Sequence, residues 1–218
     1  VIAVTLHRPW LLADLPRPMR VLSWAPNRPG FVTASRIVWR EVRNADLPEG
    51  LDVKRWFAAE LAAAGQGDAV AMLTSRDVGT FRQVRVVVEG VRADCVATLG
   101  LSNAESVGTR RPYHRADFGT INLAVALGAP LTEAAQIEAL SIAVQARTAA
   151  VMAAGLDLPT GRATGTGTDC MALACDPGDL PHAGMHTAVG EAVGAAVRRA
   201  VAEAAADWMV WRAAQGTR

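Results

Sequence analysis

The string Ala163-Thr164-Gly165-Thr166-Gly167-Thr168-Asp169-Cys170 alternates hydroxyl side chains with glycines and leads to a carboxylate. In an extended segment alternate residues share a face, so Thr164, Thr166 and Thr168 would form one polar wall and the glycines would leave the other side open to close approach. With Asp169 beside it, such a wall can orient a polar substrate and move a proton. The competing reading is a bulged core strand or a turn whose hydroxyls bond locally. His186 follows Gly184 near the start of a helical segment. Imidazole as a group suits proton transfer near neutral pH, so this side chain could pass protons during hydrolysis, or it could cap the helix or face solvent.

Two carboxamides, Asn103 and Asn122, and the hydroxyl of Thr120 fall at expected strand ends. Loops at strand ends commonly build pockets, and carboxamides can bind a substrate carbonyl or steady an oxyanion. Other chemistries fare worse. Lys54 is the one lysine in the chain, which removes a Walker phosphate loop, and Cys170 stands where a dinucleotide fingerprint needs its third glycine. Cys170, Cys175, His182 and His186 have zinc-like local spacings. However, two cysteines an odd number of residues apart on one strand point to opposite faces. No metal site is expected. Neither a Gly-x-Ser-x-Gly elbow nor a His-Glu-x-x-His helix is present.

These groups need a scaffold, and 218 residues are enough for one domain with a sizeable core. A 51% hydrophobic and 20% charged composition is globular, and 22 basic against 21 acidic residues argue against a phosphate-neutralising surface. No nucleic-acid or membrane partner is expected, since no apolar run reaches spanning length. With three cysteines and no signal-peptide pattern at the N-terminus, a reducing cytoplasm is the economical location.

Strands are expected over Val1–Thr5, Met19–Trp24, Phe31–Val42, Ala69–Thr74, Gln83–Glu89, Cys95–Leu101 and Thr120–Leu127, with a turn at Asn27–Gly30. Helices are expected over Asp52–Ala64, Thr132–Ala154 and His186–Trp211. Asp52 and Thr132 are the expected caps, and Gly65 and Gly155 the expected stops. On the middle helix Ile137, Leu140, Val144 and Met152 suggest the buried stripe, and on the last Val189, Val193, Val197 and Val201 do. The polar stretch Ser102–Asp117 is long for a connection, which suggests a functional or mobile loop. Trp208 and Trp211 are expected to be exposed, with an interface and core packing both open to them, and the oligomeric state stays open. The pattern gives an α+β class: a single-domain sandwich of a mixed, mainly antiparallel sheet packed with about three helices, two of them long and C-terminal.

Several strings, in order from about residue 20 to residue 200, resemble the adenosylcobinamide amidohydrolase (CbiZ) family. They are Val21-Leu22-Ser23-Trp24-Ala25, Ala71-Met72-Leu73-Thr74, Gly100-Leu101-Ser102-Asn103-Ala104, Gly119-Thr120-Ile121-Asn122, Ala163 to Asp169, and Gly184-Met185-His186-Thr187 with Gly190-Glu191. Two places depart from the family: Asn27-Arg28-Pro29-Gly30 replaces a glycine-richer turn, and Gln145-Ala146-Arg147-Thr148 has lost a carboxylate at Gln145.

The resemblance implies hydrolysis of the amide joining aminopropanol to the corrin side chain of adenosylcobinamide, giving adenosylcobyric acid in cobamide (vitamin B12) salvage. The cobalt would travel in the corrinoid substrate, so no cofactor held by the protein is implied. Asp169, His186 and Thr168 are then the expected catalytic residues, with Asp169 and His186 a base and acid pair acting on water. Asn103, Thr120, Asn122, Thr164, Thr166, Ser23 and Trp24 are the expected substrate-binding residues. Two alternatives stay open: a non-catalytic corrinoid-binding protein, and an amidase or acyltransferase on another amide with Thr120 or Thr168 as nucleophile, including self-cleavage at Gly119-Thr120.

Overall fold

The structure, a computed structural model, describes residues 1–110 and 119–216. Strands β1 (Ala3–His7), β2 (Trp10–Ser23), β3 (Gly30–Glu41), β4 (Val70–Thr74), β5 (Arg82–Val88), β6 (Val91–Leu99), β8 (Ile121–Leu131) and β12 (Cys170–Pro177) form an eight-stranded sheet. Its order is β4-β3-β2-β12-β8-β6-β5, with β1 also paired to β2. The pairs β3–β4 and β8–β12 are parallel and the others antiparallel. Two-residue strands β7 (Ala104–Glu105) and β11 (Gly165–Thr166) pair with each other, as do β9 (Asp157–Leu158) and β10 (Gly161–Arg162). With helices α1 (Val53–Ala63), α2 (Glu133–Ala153) and α3 (Ala188–Gly216), the class is the α+β one expected.

Strand β2 is longer than the sequence suggested. Residues 15–18, which include Pro16 and Pro18, fall where the β2–β3 register shifts between Asp14 and Met19. Proline cannot donate to a ladder and is confined to bulges and edges. The shift lets one strand change partners. Its first half pairs with β1 and its second half with β12, with β3 along the other side throughout.

Alternation along β8, β6 and β12 divides the core. Ile121, Leu123, Val125, Leu127, Met171, Leu173 and Cys175 face α2 and α3. Ala124, Ala126, Val96, Cys170, Ala172 and Ala174 face the opposite side, packing with Leu11, Ile37, Trp39 and Met72 from β2, β3 and β4. Cys170 and Cys175 thus lie on opposite faces, as their spacing implied. Small alanines on this face let the sheet curl until its edge strand β4 reaches β8: Asn122 Nδ2 on β8 donates to the Leu73 carbonyl on β4 at 2.6 Å. Outside β3 and β4, Phe57 and Leu61 of α1 close a smaller cluster.

The helix ends follow local chemistry. Asp52 accepts from Arg55 N at 3.0 Å, and Thr132 from Ala135 N at 3.1 Å, each satisfying a free amide of the first turn. Gly155 stops α2 with φ +81°, a left-handed conformation that suits glycine. The stripe expected on α2 is corrected. Ile137 and Met152 are exposed, and the buried face carries Ala135, Ala139, Ala143, Ala146 and Ala150 with Ile142 and Val151. Alanine allows close approach to α3, where Val189, Val193, Val197 and Val201 are buried as expected. Trp208 is also buried, the core packing left open for it, while Trp211 is 44% exposed. Among the described residues no helix is long and apolar enough to cross a membrane. Part of the polar loop expected over Ser102–Asp117 lies outside the described residues.

Candidate functional site

The curl brings the end of β4 against the starts of β8 and β12. Between them lies a hollow of about 550 Å³. Leu73, Thr74 and Ser75 line one side; Gly167, Thr168, Asp169 and Cys170 line another; Asn103, Gly119 and Thr120 close the floor, with Trp24 and Pro26 at the rim.

Asp169 organises this end of the sheet. Arg147, more than three turns into α2, reaches it with Nη1 2.6 Å from Oδ2. The same carboxylate accepts from Thr166 N and Ile121 N, both at 3.1 Å, and from Thr166 Oγ1 at 2.6 Å. Three hydrogen bonds and the Arg147 ion pair engage both oxygens of the Asp169 carboxylate, two hydrogen bonds on Oδ1 and one with the ion pair on Oδ2. Burial pushes its carboxyl above the ordinary carboxylate range, against the pull of Arg147 and the Thr166 and Ile121 donors. Gly165 makes room for the pair, because a Cβ there would overlap Arg147 Nη1 and come within 2.6 Å of Asp169 Oδ2.

Three expected residues meet in the hollow beside it. Thr168 Oγ1 donates to the Gly119 carbonyl at 2.9 Å and accepts from Asn103 Nδ2 at 3.3 Å. Thr120 Oγ1 lies 2.8 Å from the Thr168 carbonyl and 3.0 Å from Asn122 Oδ1, and its one proton can serve either. The Asn103 carboxamide oxygen is buried without a hydrogen-bond donor among the described residues. Gly119 must be small: a Cβ there would stand 2.8 Å from Asn103 Oδ1, Gly100 O and Ser102 N. Trp24, 45% exposed, is fixed at the rim by its indole N–H, which donates to the Asp169 carbonyl at 2.7 Å.

The other expected residues lie elsewhere. Asn122 is fully buried and ties β8 to β4. Ser23 is buried, donating to the Met171 carbonyl at 2.7 Å and accepting from Ala25 N. Thr164 bonds across to the β7 segment, at the Glu105 carbonyl and Val107 N, and Thr166 bonds locally to Asp169. The polar wall therefore reduces to Thr168, because the segment turns after Thr166 instead of running straight.

His186 requires a larger correction. Asp169 precedes the first residue of β12, where Cys170 pairs with Asn122, and His186 follows the far end, where Pro177 pairs with Leu131. About 25 Å of strand, at roughly 3.3 Å per residue, separates the two ends. Ala183 N donates to Glu138 Oε2 near the start of α2, which pins the His186 segment to that distant end. The exposed imidazole is not among the described residues that line the hollow beside Asp169, and Thr187 rather than His186 caps α3 by accepting from Gly190 N. An acid–base pair of Asp169 and His186 is not formed.

Arg147, Ser75 and Cys170 were not foreseen as site residues. The string Gln145–Thr148 was noted only for its lost carboxylate, and the guanidinium of Arg147, two residues after that position, is what reaches the site. Cys170 lines the hollow as a thiol, since burial pushes it up to about 12. Among the described residues no group of histidines, cysteines and carboxylates could hold a metal ion.

Comparison with known proteins gives this geometry a context. A relative from Halobacterium salinarum described as "Adenosylcobinamide amidohydrolase" is 34% identical over 141 residues, which cover 60% of this chain and 57% of the relative. The match thus spans little more than half of that relative's length. A crystal structure of the PH0078 protein from Pyrococcus horikoshii OT3 superposes on 94% of this chain and 82% of its own, at 10% identity and a TM-score of 0.42. Residues 2–213 match the family described as adenosylcobinamide amidohydrolase, and the chain belongs to that family.

Proposed function

We propose that this chain acts as one amidohydrolase unit that cleaves the amide between aminopropanol and the corrin side chain of adenosylcobinamide. Water supplies the oxygen of the new carboxylate and its protons pass to the leaving amine, so the products are adenosylcobyric acid and aminopropanol. The observation that carries the reading is the wall of Asn103, Thr120 and Thr168 in a hollow of about 550 Å³, in a chain matched to this family over residues 2–213.

A hollow of that volume suits a side chain and its amide, with the corrin ring resting outside against the exposed indole of Trp24. The Thr120 and Thr168 hydroxyls, each able to turn its proton, and the Asn103 carboxamide would orient the amide carbonyl and steady charge developing on its oxygen. Asp169 acts through position: it fixes the Gly167–Cys170 turn that presents Thr168. The substrate brings its own cobalt.

A second reading makes Thr168 the nucleophile, with an acyl intermediate that water then releases. Its support is the carboxylate of Asp169, already engaged by three hydrogen bonds and the Arg147 ion pair, and the held hydroxyl of Thr168 on the wall.

The test is incubation with adenosylcobinamide, chromatography for adenosylcobyric acid, and intact-mass measurement of the protein during turnover. A new carboxylate with unmodified protein supports direct attack by water, and a transient acyl adduct lost in Thr168→Ala supports the threonine. Binding without release of aminopropanol would overturn the enzymatic reading in favour of a corrinoid-binding protein. Two fragments meeting at Gly119-Thr120 would instead indicate self-processing.

A further inference from the structure

Ser75 lines two hollows. Beyond it from the main site lies a smaller space of about 260 Å³, bounded by Arg76, Asp77, Ser102, Trp208 and Trp211. Arg76 stacks its guanidinium on the Trp211 ring, with Cζ 5.1 Å from the centroid. Its backbone N–H is held by Thr74 Oγ1 at 3.1 Å, but the side chain has no hydrogen bond or ion pair among the described residues. A half-buried guanidinium normally finds an acceptor, because its desolvation is otherwise unrepaid. Burial here pushes it below the ordinary arginine value, and Asp77 and Asp207 pull only partly back.

The walls define what would fit. The indole–guanidinium stack is a flat platform with outward N–H donors, matched by a planar heterocycle that carries ring-nitrogen acceptors. Asp77 Oδ1 is taken by Arg8 Nη2 and Gly79 N, while Oδ2 has no partner among the described residues and can accept from a sugar hydroxyl. Ser75 and Ser102 add hydroxyls. The space is too small for a macrocycle and suits a nucleoside.

We propose that this smaller hollow is the subsite for the purine nucleoside group of the substrate, its base on the Arg76–Trp211 platform and its ribose towards Asp77 and Ser75. The inference rests on the proposed function, in which the corrinoid carries an adenosyl group on cobalt. Ser75, common to both spaces, would join recognition of that group to placement of the amide.

Calorimetric titration with cobinamide carrying either an adenosyl or a cyano group on cobalt tests the subsite without requiring turnover. The wild-type protein is expected to bind the adenosyl form at least tenfold more tightly. Arg76→Ala and Trp211→Ala should each erase that preference while keeping the affinity for the cyano form within about twofold, which also shows that the variants are folded. Equal affinity of the wild type for both forms, equal weakening of both in the variants, or an undiminished preference would overturn the assignment. Release of aminopropanol is followed separately: a protein with an Arg76-dependent preference that releases none retains the subsite and loses the hydrolase.

Discussion

Arg147 Nη1 and Asp169 Oδ2 meet at 2.6 Å, with 12% and 8% of their side chains exposed, and join the middle of α2 to the turn that opens β12. Breaking a buried pair by removing one partner strands the other's charge, which costs about 3–5 kcal/mol, whereas removing both costs much less. Arg147→Met is expected to lose stability of that order in urea unfolding, and Arg147→Met with Asp169→Asn to recover most of it. A double variant as unstable as the sum of the singles would show that the two residues act independently.

The same carboxylate should make stability depend on pH. Burial raises its folded-state pKa against the opposing pull of Arg147. Below the ordinary carboxylate value both states are protonated and the contribution is fully present. As pH rises, the unfolded chain releases its proton first, and the contribution is lost through the folded-state titration. Between pH 4 and pH 7 the wild type should therefore decline relative to Asp169→Asn in urea midpoint. A wild type that instead gains on the variant would show that Arg147 outweighs burial.

Local signals carried much of the fold. Asp52 and Thr132 cap the helices they were expected to cap, because an N-cap bond involves only neighbours in sequence. The face of α2 was hidden, since the alanines at 135, 139, 143, 146 and 150 give a weaker signal than Ile137 or Met152 while permitting closer helix packing. That Asn103, Thr120 and Thr168 would line one candidate hollow was legible from residue type. The separation of Asp169 from His186 was not, because a string of residues does not disclose that an eight-residue strand carries the chain to the other end of the sheet. Arg147 was missed for the complementary reason: α2 returns along the sheet and brings a distant guanidinium back.

Cys170 faces the hollow, yet its thiol is held up at about 12, so almost none is thiolate at neutral pH and it cannot serve as the nucleophile. Aminopropanol release should survive iodoacetamide treatment at pH 7.5, and Cys170→Ala should retain at least half of the rate. Rapid alkylation of the folded protein with parallel loss of activity would reverse this view.

Thr168 and Asn103 share a hydrogen bond on the wall where the amide carbonyl is placed in the proposed reaction. Loss of one donor to a developing oxyanion typically costs about 10²–10³ in kcat. Asn103→Ala is expected to fall in that range with KM changed less than threefold, and Thr168→Ala to fall at least as far. A change confined to KM would mean that these groups bind the ground state and do not act on the charge that develops during cleavage.

His186 gives the sharpest contrast between sequence and structure. A proton donor to the leaving amine must come within hydrogen-bond reach, directly or through one water. His186 lies exposed beyond the far end of β12, about 25 Å of strand from the hollow at roughly 3.3 Å per residue. Its environment there is the surface turn before α3, where Thr187 supplies the cap. His186→Ala should therefore release aminopropanol from adenosylcobinamide within twofold of the wild-type rate across pH 6–8, with an unchanged pH profile. A hundredfold loss in a folded variant, or the disappearance of a titration near neutrality, would require the two ends of the sheet to communicate during turnover and would return the histidine to the reaction.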